Sequence, residues 1–157
     1  MSPAESLTGR FVFDIPMRVR FRGQDRRQGS LIEGPAGWGE FSPFPEYAAG
    51  VAARWLAAAI EASQDGWPVP IRDTVPVNTT VPAVGPEQAH AMVAASGCRT
   101  AKVKVAERGQ SLAEDIARVE AVRDALGPSG AVRIDANAAW DVEEAVKALT
   151  ELARFDL

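Results

Sequence analysis

The sequence predicts an α/β chain in two parts: an antiparallel sheet with one helix over residues 1–73, then three strand–helix units of a parallel sheet over 74–157. Two observations carry this. Residues 100–105 read Thr-Ala-Lys-Val-Lys-Val and alternate with period two, the signature of a strand with one apolar and one polar face. Residues 132–137 repeat that alternation as Val-Arg-Ile-Asp-Ala-Asn, and a capped helical stretch follows each repeat.

The first part is built from short strands. Residues 11–21 alternate loosely around Pro16, which predicts strand, kink, strand, with Arg18, Arg20 and Arg22 on one side. Residues 23–29 are polar and read as a mobile loop. Segments 30–33 and 36–41 read as two further strands with Gly34-Pro35 as their turn. The stretch 41–47, Phe-Ser-Pro-Phe-Pro-Glu-Tyr, is aromatic and stiffened by proline, and suits either core packing or the wall of a pocket. Residues 48–63 predict a helix whose stripe is Val51, Trp55, Leu56, Ala59 and Ile60. Gln64-Asp-Gly-Trp-Pro ends that helix, and residues 67–73 read as a linker.

The second part begins with a strand over 75–81, bracketed by Pro76 and Pro82. Pro86 suits a first helical turn, and Gly97 a helix end. His90 on this helix reads as a surface or packing residue. The strand 100–105 follows. Ser111-Leu-Ala-Glu114 is a capping box that opens a helix with Leu112, Ile116, Val119, Val122 and Leu126 inward. The strand 131–135 comes next. Asp141 then caps a helix with Val142, Ala145, Val146 and Leu149 as its predicted buried face. Residues 154–157 read as the approach to a fourth strand. A complete (β/α) barrel needs eight such units, typically about 250 residues.

Composition bounds the chemistry. The 157 residues are 46% hydrophobic and 24% charged with net charge −4, a globular balance that offers no electrostatic case for nucleic acid. No apolar run reaches the length of a membrane span. Residues 1–10 lack the pattern of a signal peptide. Cys98 and His90 are each the sole residue of their kind, which excludes an internal disulfide and a His/Cys metal site within one chain. Any metal would be a hard ion held by carboxylates. A cytoplasmic location is the expectation.

Two strands thus place Lys102, Lys104, Arg133, Asp135 and Asn137 on one polar face. An exposed sheet face can hold such charges. The alternative is the floor of a polar cavity at the C-terminal ends of parallel strands, where barrel active sites sit. The position of both clusters, at strand ends that precede capped helices, favours the cavity.

Lys102-Val-Lys104 followed by 133–140, Arg-Ile-Asp-Ala-Asn-Ala-Ala-Trp, resembles the enolase superfamily in its muconate-lactonizing-like branch. The stretches 37–44, 75–82 and 101–109 are similar to the o-succinylbenzoate synthase family of the actinobacterial type, and the resemblance runs from about Arg10 onward. It implies an N-terminal α+β capping domain, a (β/α)7β barrel of the TIM type, here incomplete, and a site between them. It implies Mg²⁺-assisted dehydration of 2-succinyl-6-hydroxy-2,4-cyclohexadiene-1-carboxylate to 2-succinylbenzoate in menaquinone synthesis. In that reading Lys104 is the acid/base residue, and Lys102 lies beside it, favouring its neutral amine and helping to hold charge. Asp135 is the first metal carboxylate, and Arg133 and Asn137 contact substrate or its surroundings. The partner is a small-molecule carboxylate. The family's other metal carboxylates and its second lysine have no match here, so the expectation is an N-terminal portion that does not catalyse alone. N-acylamino acid racemase, dipeptide epimerase and a non-catalytic scaffold completed by another chain are the alternatives.

Overall fold

The computed structural model describes residues 9–157; the expectation that no signal peptide opens the chain lies, through residue 8, outside them. The architecture is α/β, in two compact units that divide between Asp73 and Thr74.

The first unit is a three-stranded antiparallel sheet in the order β1 (Gly9–Phe21), β2 (Gln24–Gly34), β3 (Gly37–Phe41), followed by α1 (Ala49–Gln64). Residues 23–29 are not a loop. Only Arg22 and Gly23 turn, both with left-handed backbone (φ 50° and 73°), as a two-residue hairpin requires. Gln24 already pairs with Phe21, and Arg26 bridges to Asp14 at 2.7 Å. Polarity misled the sequence reading here because both faces of this strand end lie near solvent, so pairing needs no apolar residues. Pro16 does not break β1; the pairing register shifts between Pro16 and Phe21.

The predicted stripe of α1 is mostly not the face that packs. Ala59 is buried, whereas Val51, Trp55 and Leu56 are exposed; the other buried positions are Ala62 and Ser63. The cause is close approach to the sheet. A Cβ on Gly39 would sit 1.8 Å from the Ala59 carbonyl oxygen, so only small side chains fit between β3 and the helix. Trp55 turns instead to Tyr47, ring centroids 5.5 Å apart, and Tyr47 meets Phe44 edge-on. Arg22 lies over the Phe44 ring at 4.2 Å. Pro43, Phe44 and Pro45 line a cleft of about 530 Å³ with Met17, Phe21 and Arg27, the pocket alternative for this segment.

The second unit is a parallel sheet in the order β4 (Thr79–Val81), β5 (Thr100–Lys104), β6 (Ala131–Asp135), with α2 (Pro86–Ser96), α3 (Leu112–Leu126) and α4 (Val142–Leu152). Val81, Val103 and Val132 bury one side of the sheet against Ala89, Val93, Val119 and Val122 of the helices. The predicted capping box forms at Ser111/Glu114, and the predicted Asp141 cap is also a capping box, with Glu144. Gly97, left-handed at φ 67°, ends α2.

Three expectations are corrected in this unit. The first strand is only Thr79–Val81; Val75 and Val77 are exposed, and Pro76 between them has no N–H for a ladder. On α4 the residues expected inside, Val142, Val146 and Leu149, are exposed, and Ala148 and Leu152 are buried instead. After α4 the chain makes a 3-10 turn, Ala153–Phe155, rather than an extended approach. Arg123 ties that turn down by donating from Nε to the Phe155 carbonyl (2.9 Å) and from Nη2 to the Asp156 carbonyl (2.7 Å). No helix among the described residues is long and apolar enough to cross a membrane.

Candidate active site

The polar face predicted for the two strands is one surface. β5 and β6 pair in parallel with Lys102 opposite Arg133 and Lys104 opposite Asp135, and partners in register share a face. The alternation that sends Ala101 and Val103 into the core sends both lysines the other way.

Lys102 reaches diagonally across the strands, its Nζ 2.6 Å from Asp135 Oδ2. Asn137 closes on the same carboxylate, donating from its backbone N–H to Oδ1 at 2.9 Å and from Nδ2 to Oδ2 at 3.3 Å. The Lys102 ammonium, first, then the Asn137 N–H and the charges of Lys102 and Lys104 hold the Asp135 carboxyl below the usual carboxylate range, against a smaller upward push from burial. Asn137 and Ala138 both have left-handed backbone (φ 49° and 59°). Asparagine tolerates this conformation and alanine rarely adopts it, so the turn after β6 is held by its surroundings.

Lys104 differs from Lys102 although the two share a face. It is 8% exposed, and its Nζ donates to the carbonyl of its own neighbour Val105 at 2.8 Å. Arg133, one step below Asp135, turns toward β4 and donates to Asn78 Oδ1 at 2.7 Å. Lys102, Lys104, Asp135 and Asn137 therefore form one cluster at the strand ends. Arg133 shares their face but is engaged elsewhere.

Sequence reasoning gave no role to Asn78, which precedes β4, nor to Asp115 and Arg118 on α3. Those last two are buried side by side, 3% and 1% exposed, with Arg118 Nη1 2.8 Å from Asp115 Oδ1. Their signal was present. They fall within the same helical stripe as Val119 and Val122, where a charged residue is out of place unless paired.

The residue types suit moving a proton and binding an anion: two lysines and one carboxylate lie on one sheet face at the strand ends. Its fit to a metal is incomplete. A hard divalent ion such as Mg²⁺ takes about six oxygen ligands. Among the described residues no three His, Cys, Asp or Glu side chains are placed to hold one. Asp135 is a single carboxylate whose two oxygens already accept bonds from Lys102 and Asn137. The described residues alone do not make a magnesium site.

Residues 12–63 match the family model described as enolase N-terminal domain-like, and residues 86–157 the one described as enolase C-terminal domain-like. An o-succinylbenzoate synthase of Thermobifida fusca is 66% identical over 151 residues, which are 96% of this chain and 47% of that protein. The chain thus spans about half the length of the curated relatives it matches. Among solved structures, the L-Ala-D/L-Glu epimerase of Bacillus subtilis superposes with a TM-score of 0.69 at 21% identity, over 93% of this chain and 57% of that one. The o-succinylbenzoate synthase of Thermosynechococcus elongatus, solved with Mg in its active site, gives a TM-score of 0.57 at 20% identity, over 97% and 58%. At such identities the two structures speak to the fold.

Proposed function

Because this chain belongs to the enolase superfamily, we propose that it supplies the capping domain, residues 1–73, and the first three β/α units, residues 74–157, of an o-succinylbenzoate synthase. The observation that carries the reading is the placement of Lys104 and Lys102 on the strand beside Asp135, in register, at the ends where barrel active sites lie. The substrate is a small carboxylate with a hydroxyl on the carbon next to the one that bears the labile proton, and the protein acts in the cytoplasm.

Lys104, as the neutral amine, removes the proton α to the carboxylate. Electrons from that C–H bond form the new double bond, the C–O bond breaks, and the departing hydroxyl takes the proton back from Lys104 to leave as water. The difficulty is the charge that builds on the substrate carboxylate as the proton leaves. The Lys102 ammonium, on the same sheet face as Lys104, offsets part of it. Asn137 orients the substrate through its oxygen atoms, and Arg133 does so once it exchanges its bond to Asn78 for one to the substrate. Asp135 would contribute one carboxylate to a magnesium ion, in place of a bond it now accepts from Lys102 or Asn137, and the other ligands of such an ion are not among the described residues. For that reason the 157 residues alone are expected not to turn over substrate.

The test compares this chain with a longer protein that carries it as its N-terminal part, both assayed for dehydration with Mg²⁺. Turnover is expected only from the longer protein, and Lys104→Ala there should cost on the order of 10³-fold or more in kcat, the scale of a lost acid/base group with its proton position. Turnover by the 157 residues alone would overturn the expectation of inactivity. Racemisation of N-acylamino acids without dehydration would overturn the assignment of reaction.

A further inference from the structure

We propose that the buried Asp115–Arg118 pair is a positioning device for Lys104. The inference rests on the proposed function only in naming Lys104 as the proton-transfer group.

Every polar atom of the pair is used, and two of its four outward bonds go to backbone on either side of one residue, Val105. Arg118 Nη1 donates to the Lys104 carbonyl at 2.9 Å. Asp115 Oδ2 accepts from the Ala106 N–H at 2.8 Å. The backbone on both sides of Val105 is therefore gripped from α3. Val105 itself donates its N–H to the Asp135 carbonyl at 3.1 Å, which ties the same point to β6. Ala106 has left-handed backbone (φ 55°), which alanine seldom adopts, and the bond from its N–H to Asp115 holds it there. The Val105 carbonyl, lying between the two gripped groups, receives the Lys104 ammonium at 2.8 Å.

The rest of the guanidinium binds the neighbouring loop. Nε donates to the Val84 carbonyl at 2.7 Å and Nη2 to Gln110 Oε1, while Gln110 Nε2 donates to the Ala83 carbonyl at 3.1 Å. Packing alone does not ask for this arrangement. An apolar pair of the same volume fills a helix–sheet interface as well or better, because two charges must be stripped of water to be buried. What an ion pair adds is direction. A planar fork of donors fixes the angle of each peptide it touches. One peptide the fork touches here, at the Lys104 carbonyl, and the one Asp115 holds, at the Ala106 N–H, determine where the Lys104 side chain starts and which carbonyl it rests on.

The chain has only three lysines, Lys102, Lys104 and Lys147, so amine reactivity can be followed residue by residue. Limiting acetylation with N-hydroxysuccinimidyl acetate, read by peptide mass spectrometry, gives each rate relative to exposed Lys147. The variants are Asp115→Asn and the double Asp115→Asn/Arg118→Gln, which leaves no lone charge buried. Circular dichroism reports whether the helices persist. With the fold retained, the Lys104 rate should rise about tenfold as its backbone loosens locally, while Lys102, on the same strand, changes by less than about twofold.

Four results would overturn the proposal. The first is an unchanged Lys104 rate in a folded variant. The second is a joint rise of Lys102 and Lys104. The third is equal reaction of Lys104 and Lys147 in the unaltered chain. The fourth is loss of the helices in both variants, which would make the pair a determinant of stability alone. None of these depends on turnover, so a failure of Lys104 as the catalytic base would show in the Lys104→Ala assay and leave this result standing.

Discussion

Asp135 shows how much a single side chain's state depends on its neighbours. With Lys102 2.6 Å away and the Asn137 N–H on its other oxygen, the carboxyl loses its proton below the ordinary range. A carboxyl whose folded value is depressed contributes stability above its unfolded value, about pH 3.9 for aspartate, and that contribution is lost as pH falls through the folded value. Removing the Lys102 ammonium should return the loss to higher pH. In the isolated chain, with divalent ions chelated, Lys102→Met is expected to shift the acid-unfolding midpoint upward, as followed by circular dichroism. An unchanged midpoint would mean that the Lys102–Asp135 contact is not maintained in solution. Arg133 is different in kind. Its bond to Asn78 holds it away from this carboxylate, so its sequence position opposite Lys102 did not foretell its partner.

Elements were legible in the sequence where both faces of a segment had a reason to differ. The strand 100–104 and the strand 131–135 could be read because valines alternate with charges, and the structure pairs them as neighbours. The two capping boxes could be read because the caps are local chemistry. What failed was the choice of packing face. On α1 the larger apolar residues looked inward, yet the sheet approaches so closely at Gly39 that only Ala59, Ala62 and Ser63 fit. This gives a prediction for the element. Gly39→Ala should cost about 2 kcal/mol or more, because the added carbon meets backbone and not a side chain that can swing away. Urea unfolding would measure it, and a loss below about 0.5 kcal/mol would mean that α1 can shift without penalty. On α3 the hidden pair Asp115–Arg118 escaped notice because charge normally marks the outside of a helix, and only its coincidence with the valine stripe gave it away.

For the whole molecule, the division between Asp73 and Thr74 lies within residues 66–78, which carry no helix or strand. Trp67, Val69, Ile71, Val75 and Val77 are all exposed along it. Backbone without ladder partners and with exposed side chains is the preferred site of nicking. Limited trypsin digestion of this chain should therefore cut first after Arg72. A first cut within 100–157 would show that the parallel unit opens more readily than the linker.

The two sheets also differ in how far apart along the chain their partners lie, and this bears on the order in which they form. In the antiparallel sheet Phe21 meets Gln24 and Gly34 meets Gly37, across turns of two residues. In the parallel sheet Thr79 meets Ala101 and Ala101 meets Val132, each across a whole helix. Short closures lose little chain entropy and hairpins form in microseconds, whereas distant partners must find each other before any ladder rewards them. On a ribosome the same inequality takes a temporal form. The hairpins can zip up as they emerge, and β4 must wait, its Val81 bare, until α2 and β5 have been synthesised.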